Sequence, residues 1–273
     1  MKSINRIKLA AWLVQKLGVS PYTLFCHQLG IFKYQNMDIS GEKFFIEKVL
    51  KALVHDKEKP IFFDVGANHE DYRKELVANI PLAEVQSFEP NSRAYKKLVK
   101  IKGIVPVNSG LSDKIENVTF YLDNSTEEQT LSSFYPKFIE QYTSSYDEIK
   151  IDVITLDFYC EQNMIPNISL LKIDTEGHEY NVLKGASKML DNIDIIQFEF
   201  NKSHIYSHAL LKNFYELLTN FHFFRLDTTH LIDINLYSSG NEIFAFQNII
   251  AISHRITESS VWKKKAPQWV KKI

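Results

Sequence analysis

Hydrophobic positions recur along the chain with two different spacings. Ile4, Ile7, Ala11, Val14 and Leu17 follow a helical period, as do Phe44, Phe45, Val49, Leu50, Leu53 and Val54. Helices are therefore predicted over 4–17 and 41–54, the second stopped by Lys59-Pro60. The run Ile61-Phe-Phe-Asp-Val65, bounded by Pro60 and Gly66, has the continuous apolarity of a strand buried on both faces. The alternation then repeats. Helix 71–80 ends at Pro81, strand 84–89 follows, then helix 91–102 and strand 104–107. Strands 117–122 and 149–155, helix 156–163 and strand 168–173 come next. Val182, Leu183, Ala186, Met189 and Leu190 form one helical stripe before strand 193–200, helix 207–220 and strands 222–227 and 243–252. Such alternation predicts an α/β fold, a doubly wound, mostly parallel sheet with helices on both faces. No repeat or long linker interrupts it. The expected division is a helical extension over 1–55, one α/β domain over 56–253 and a basic tail over 254–273.

Composition narrows the class. Of 273 residues, 45% are hydrophobic and 24% charged, enough for a substantial core. The formal charge of −1 lacks the basic excess of a nucleic-acid footprint, so no nucleic-acid partner is expected. Charge is unevenly placed: residues 1–19 carry four basic groups and no acid, and 254–273 carry six basic groups and one acid. The tail, Trp262-Lys-Lys-Lys-Ala-Pro-Gln-Trp269, has the mixture that suits peripheral contact with an anionic membrane. A solvated helix, interrupted at Pro267, is the alternative reading. Cys26 and Cys160 are too few for a disulfide framework, which points to a reducing, cytoplasmic setting. The apolar run Leu9 to Val14 is too short for a membrane span or a signal-peptide core and reads as helix.

In open α/β sheets ligands bind beyond the carboxyl ends of the strands. Asp64-Val-Gly66-Ala-Asn68 follows the first strand, with Gly66 permitting a tight turn and close backbone approach. Glu89, 23 residues beyond Gly66, is placed to accept hydrogen bonds from ribose hydroxyls. Ser109-Gly-Leu-Ser112-Asp113 is a third polar turn, suited to a nucleobase. Neither Gly-x-Gly-x-x-Gly nor a phosphate-binding Gly-x-x-x-x-Gly-Lys loop is present. A nucleoside without pyrophosphate fits better, and S-adenosylmethionine is the expected cofactor. After the strand 168–173 comes Asp174-Thr-Glu176-Gly-His178-Glu179, and after the next strand Glu199, Asn201 and His204. These groups are expected to share one crevice, bind an acceptor's hydroxyls and offer carboxylates to a divalent cation. His178 is the first candidate base and His204 the second, since imidazole titrates near neutral pH. Asp174, Glu176 and Glu199 would orient the base or the acceptor. Residues 123–147 read as an insertion over the crevice.

The same residues resemble the FkbM-type methyltransferases, a branch of the class I S-adenosylmethionine-dependent enzymes. The likeness runs over about residues 38–253, through Asp64-Val-Gly-Ala-Asn68, Phe88-Glu-Pro90, Leu111-Ser-Asp113, Ile154-Thr-Leu-Asp157, Lys172-Ile-Asp-Thr-Glu-Gly-His-Glu179, Val182-Leu-Lys-Gly-Ala186, Ile196-Gln-Phe-Glu199 and Asn248. It implies a Rossmann-like sheet of seven strands with the last antiparallel, and methyl transfer to a hydroxyl of a sugar, glycan, glycolipid or related small molecule. It also implies that Asp64, Gly66 and Asn68 adjoin the methionine half of the cofactor, Glu89 the ribose, and Ser112 and Asp113 the adenine; Asp174 is also expected among the cofactor-binding residues. The chain departs from the family pattern at one position. Glu70 stands where a glycine usually ends the first motif, which keeps open a non-catalytic scaffold of the same fold.

Overall fold

Phe62 and Phe63, neighbours on one strand, belong to two different hydrophobic cores, one on each face of a single sheet. Successive strand side chains point in opposite directions, so an unbroken apolar run needs cover on both sides. The computed structural model describes residues 2–18, 20–66, 70–125 and 131–272. Its strands are β1 (Ile61–Val65), β2 (Glu84–Phe88), β3 (Ile104–Val107), β4 (Gly110–Leu111), β5 (Glu116–Asp123), β6 (Ser132–Ser133), β7 (Tyr146–Ile154), β8 (Leu170–Ile173), β9 (Ile195–Phe200), β10 (Phe221–Leu226), β11 (Leu231–Asp233), β12 (Gln247–Ser253) and β13 (Val270–Lys271).

Among the described residues the main sheet has the order β13-β11-β10-β12-β9-β8-β1-β2-β3. Seven strands, β3 to β10 in that order, make the expected Rossmann-like core, with β12 antiparallel to both β9 and β10. The chain leaves β1 toward β2 and β3, then returns to pair β8 on the other side of β1. The carboxyl ends of β1 and β8 therefore flank a topological switch point, where such sheets open a ligand crevice. β11 and β13 extend the sheet beyond the sequence reading. The strands expected at 117–122 and 149–155 do not join it. They are β5 and β7, paired antiparallel with each other, and with β4 and β6 they form a separate four-stranded sheet. Both mix buried with exposed residues, so they have one face to bury and lie as a cover. Phe120, Leu122, Ile151 and Val153 make the small core beneath that cover.

Both terminal segments are tied to the main sheet. The helical stretch Glu42 to Leu53 contains a π-helical section, Phe45–Leu50, whose Phe45, Ile46, Val49 and Leu50 are fully buried. They pack with Phe62, Val85, Leu170 and Ile195 on one face of the sheet. At the other end, helix Ser260–Trp269 buries both of its tryptophans. Trp262 lies 5.4 Å from the Phe224 ring and 6.0 Å from Trp269, while β13 pairs in parallel with β11. Hydrophobic burial has thus claimed both rings, so neither is free to anchor the tail elsewhere. No helix among the described residues is long and apolar enough to cross a membrane. Trp262→Ala is expected to lower the unfolding free energy by about 3–5 kcal/mol, read by urea titration. A loss below about 1 kcal/mol would show that the C-terminal helix is not part of the cooperative core.

Candidate functional site

Residue 66 has to be glycine. Its φ is +84°, and a Cβ there would stand 1.8 Å from the carbonyl oxygen of Asp174. The end of β1 thus touches the turn after β8 backbone to backbone. Gly66 N–H donates to the Phe88 carbonyl at 3.2 Å, which fixes its position against β2 as well. These contacts bring the ends of β1, β2 and β8 around a cavity of about 380 Å³, a volume within the usual range of small-molecule sites. Its lining includes Gly66, Phe88, Glu89, Gly110 and Leu111, together with Asp174, Glu176, Glu199, Asn248 and Lys172.

Carboxyls crowd this cavity. Lys172 Nζ donates to Asp174 Oδ2 at 3.2 Å, stands 3.6 Å from Asp64 Oδ1 and lies 4.9 Å from the Tyr72 ring. Burial alone would depress its ammonium, yet Asp174, Asp64 and Glu42 hold it above the ordinary lysine range. Arg73 Nη1 meets Asp64 Oδ2 at 3.1 Å. Glu89 Oε1 accepts from the Asn91 N–H at 2.8 Å, and burial pushes this carboxyl up to about 7. Glu176, buried and next to Asp174 and Glu179, is pushed up to about 8. Burial, Asp174 and Glu176 likewise raise Glu199, which accepts a short hydrogen bond from Asn201 Nδ2. Burial also raises Glu42, whose oxygens accept from Ser40 Oγ at 2.9 Å and Gln197 Nε2 at 3.1 Å.

The turn after β8 is bent sharply. Glu176 has φ +51° and Gly177 φ +104°, two left-handed residues in succession. The buried Glu179 carboxylate secures them by accepting from Thr175 N at 2.7 Å, Thr175 Oγ1 at 3.0 Å and Gly177 N at 2.9 Å. His204 Nε2 lies 3.1 Å from the same carboxylate. Burial would raise Glu179, but His204 and these donors hold it below the usual carboxylate range. The turn is also gripped from outside, since Ser133 Oγ donates to the Glu176 carbonyl at 2.9 Å.

The sequence-predicted residues thus separate into groups. Gly66, Glu89, Asp174, Glu176 and Glu199 come together on the cavity. Asp64 lies behind them, buried between Arg73 and Lys172. Ser112, Asp113, His178 and His204 sit outside the cavity lining. Asp113 pairs with Lys184 at 2.8 Å. His178 is buried with its ring stacked 3.8 Å from Phe134, a lining residue. Asn181 Nδ2 donates to His178 Nδ1 at 3.1 Å, which leaves the ring proton on Nε2, 3.0 Å from Ser112 Oγ. Burial pushes this imidazole down to about 4. Asn68 lies outside the described residues. No three of the described His, Cys, Asp and Glu side chains are grouped so as to hold a metal ion. Sequence reasoning missed Glu42, Tyr34, Met37 and Phe246 as lining residues, and gave Lys172 no role. Only Lys172, charged within an otherwise apolar strand, carried a local signal.

Because Glu176 is raised from 4.5 to about 8, the folded protein holds a proton that the unfolded chain has released. The stability this contributes is complete below the unfolded value and is lost as pH rises through the folded one. The melting temperature is therefore expected to fall from about pH 5 to about pH 8 and to level off above that, and Glu176→Gln should flatten the fall. An undiminished fall in the variant would place the titration elsewhere.

A doubly wound sheet with a glycine turn and a carboxyl-lined cavity at its switch point defines the class: a Rossmann-like α/β fold with its crevice at the strand ends. The chain belongs to the FkbM methyltransferase family, for residues 64–230, more than half of it, match the methyltransferase FkbM domain. It is 24% identical over 170 residues to the hexuronic acid methyltransferase AglP of Haloferax volcanii, covering 60% of this chain and 64% of that protein. It is also 24% identical over 182 residues to the 2-O-methyltransferase NoeI of Sinorhizobium fredii, covering 61% and 74%. Among solved structures, the plantazolicin methyltransferase BpumL in complex with SAH aligns over 93% of this chain and 98% of that one, at 10% identity and a TM-score of 0.42.

Proposed function

We propose that the protein is an S-adenosylmethionine-dependent O-methyltransferase whose acceptor is a hydroxyl of a sugar or related polyol. One observation carries this reading: a single cavity joins the Gly66 turn and Glu89 to the carboxyls of Asp174, Glu176 and Glu199. The first set fits the cofactor. Gly66 and Gly110 keep side chains out of its path, Phe88 and Leu111 offer apolar wall, and Glu89 has one oxygen held by Asn91 and the other for a ribose hydroxyl. The bound cofactor supplies a methyl group activated on a sulfonium, leaving the protein to align the acceptor and remove its proton.

Glu176 is the proton acceptor in this reading. It lines the cavity, and its affinity for a proton lies near working pH, as general base catalysis favours. That role moves away from His178, whose ring nitrogens are both engaged and which holds Phe134 from behind. Glu199 and Asn248, opposite each other across β9 and β12, serve the neighbouring hydroxyls. Tyr34 and Phe246, 5.9 Å apart at the cavity wall, offer ring surface to a sugar. The two relatives, a hexuronic acid methyltransferase and a 2-O-methyltransferase, support the assignment to a sugar hydroxyl.

The scaffold reading rests on Glu70, which stands where the family usually carries a glycine. Titration calorimetry separates the two. S-adenosylmethionine is expected to bind near micromolar, about −8 kcal/mol. Absence of binding at millimolar ligand, restored by Glu70→Gly, would make the chain a scaffold. For the enzyme, Glu176→Gln is expected to lower kcat at least about 100-fold and to abolish a rate increase centred near pH 8, with cofactor affinity retained. A loss below about tenfold would return the base to His178.

A further inference from the structure

The first acidic residue of the chain is Asp38; before it stand Lys2, Arg6, Lys8, Lys16 and Lys33. Within this acid-free arm, helix Lys2–Lys16 exposes Leu9 (57%), Trp12 (52%) and Leu13 (50%), and Leu17 just beyond it is 79% exposed. These four residues fall on one helical stripe. Lys8 and Lys16 are exposed among them, with Lys16 Nζ 5.4 Å from the Trp12 ring. Helix Pro21–Gln28 adds exposed Tyr22, Leu24 and Phe25. Isolated exposed apolar side chains need no explanation, but a contiguous basic and apolar surface does.

The arm is firmly rooted. Cys26 and Ile31 are buried, and Phe32 N–H donates to the Phe246 carbonyl at 2.9 Å. Gly30, with φ +73°, lies so close to β10 that a Cβ would stand 2.4 Å from the Leu226 carbonyl oxygen. Lys33 pairs with Asp227 and donates to Thr228 Oγ1 at 2.9 Å. The next residues, Tyr34, Gln35, Asn36 and Met37, line the cavity. The exposed surface is thus joined by a short anchored segment to one wall of the site.

We infer that the surface formed by Lys8, Leu9, Trp12, Leu13, Lys16 and Leu17 with helix Pro21–Gln28 docks on an anionic lipid bilayer, which holds that wall of the cavity toward the membrane. Charge decides for this occupant. A bilayer of anionic lipid attracts the lysines and admits Leu9, Trp12, Leu13 and Leu17 at its headgroup boundary, where the long lysine side chains reach back to the phosphates. A second copy of the chain would set this basic surface against an identical basic one. The inference stands apart from the methyltransferase reading, since lipid binding is measured without turnover.

The test is sedimentation of the full chain with vesicles of phosphatidylcholine alone and with about one part in three of phosphatidylglycerol. The anionic vesicles are expected to retain the protein and the neutral ones to leave it in solution. Retention should vanish in about 1 M salt, where screening acts within about 3 Å. Trp12→Ser with Leu13→Ser, and separately Lys8→Glu with Lys16→Glu, should each weaken retention at least about tenfold while leaving the melting temperature unchanged. Trp262 and Trp269 are buried, so fluorescence quenching by brominated lipid reports on Trp12. Equal retention on neutral vesicles, full retention by both variants, or absence of quenching would each overturn the inference. So would a dimer in light scattering that the Trp12→Ser, Leu13→Ser variant converts to monomer, because the occupant would then be a second copy.

Discussion

The buried ammonium of Lys172 is the interaction on which the site depends. It stands among Asp64, Asp174 and Glu42, and each of these carboxyls would be costly to bury alone. One charge on a central strand joins three parts of the fold: the end of β1, the turn after β8 and the helical stretch that precedes the sheet. It also leaves the remaining acids under-neutralised. Burial and the neighbouring carboxyls raise Glu176 and Glu199, against the hydrogen bonds that Asn201 donates to both. The electrostatics of the cavity follow from how far one lysine can reach.

Backbone geometry supplies the second support. Two left-handed residues in succession would not persist after β8 without compensation. Glu179 compensates by gathering two backbone N–H groups, a hydroxyl and His204 onto one carboxylate. Glu176 is thereby presented to the cavity by a turn that cannot relax locally. His178 and His204, the ring-bearing groups nearest this turn, are spent on holding it and its covering wall.

Much of this could be read along the chain. The unbroken apolar runs of β1, β8 and β9 announced a sheet covered on both faces, and Gly66 and Glu89 announced the ends that matter. The division between cavity and scaffold was less visible. Asp174, Glu176, His178 and Glu179 stand within six residues, yet the double left-handed turn sends the first two to the cavity and the other two into packing. That outcome depends on three-dimensional closure by Ser133 and His204, which no local spacing encodes. Glu42, Tyr34 and Phe246 escaped for the same reason, being brought to the site from distant parts of the chain. The tail stayed ambiguous, because tryptophans beside lysines read alike whether the rings meet lipid or a core.

The cover sheet has its own small core and grips the main fold at a few points, chiefly Ser133 on the Glu176 carbonyl and Phe134 on His178. Gly110 and Leu111 of this sheet line the same cavity as Gly66 and Glu89 of the main one, so the wall is shared between two sheets. Between β5 and β7 the chain adds Ser132 and Phe134 to that lining, outside the strand register of the main sheet. The shape of the cavity is therefore open to revision by insertion or deletion in a flap that has a core of its own.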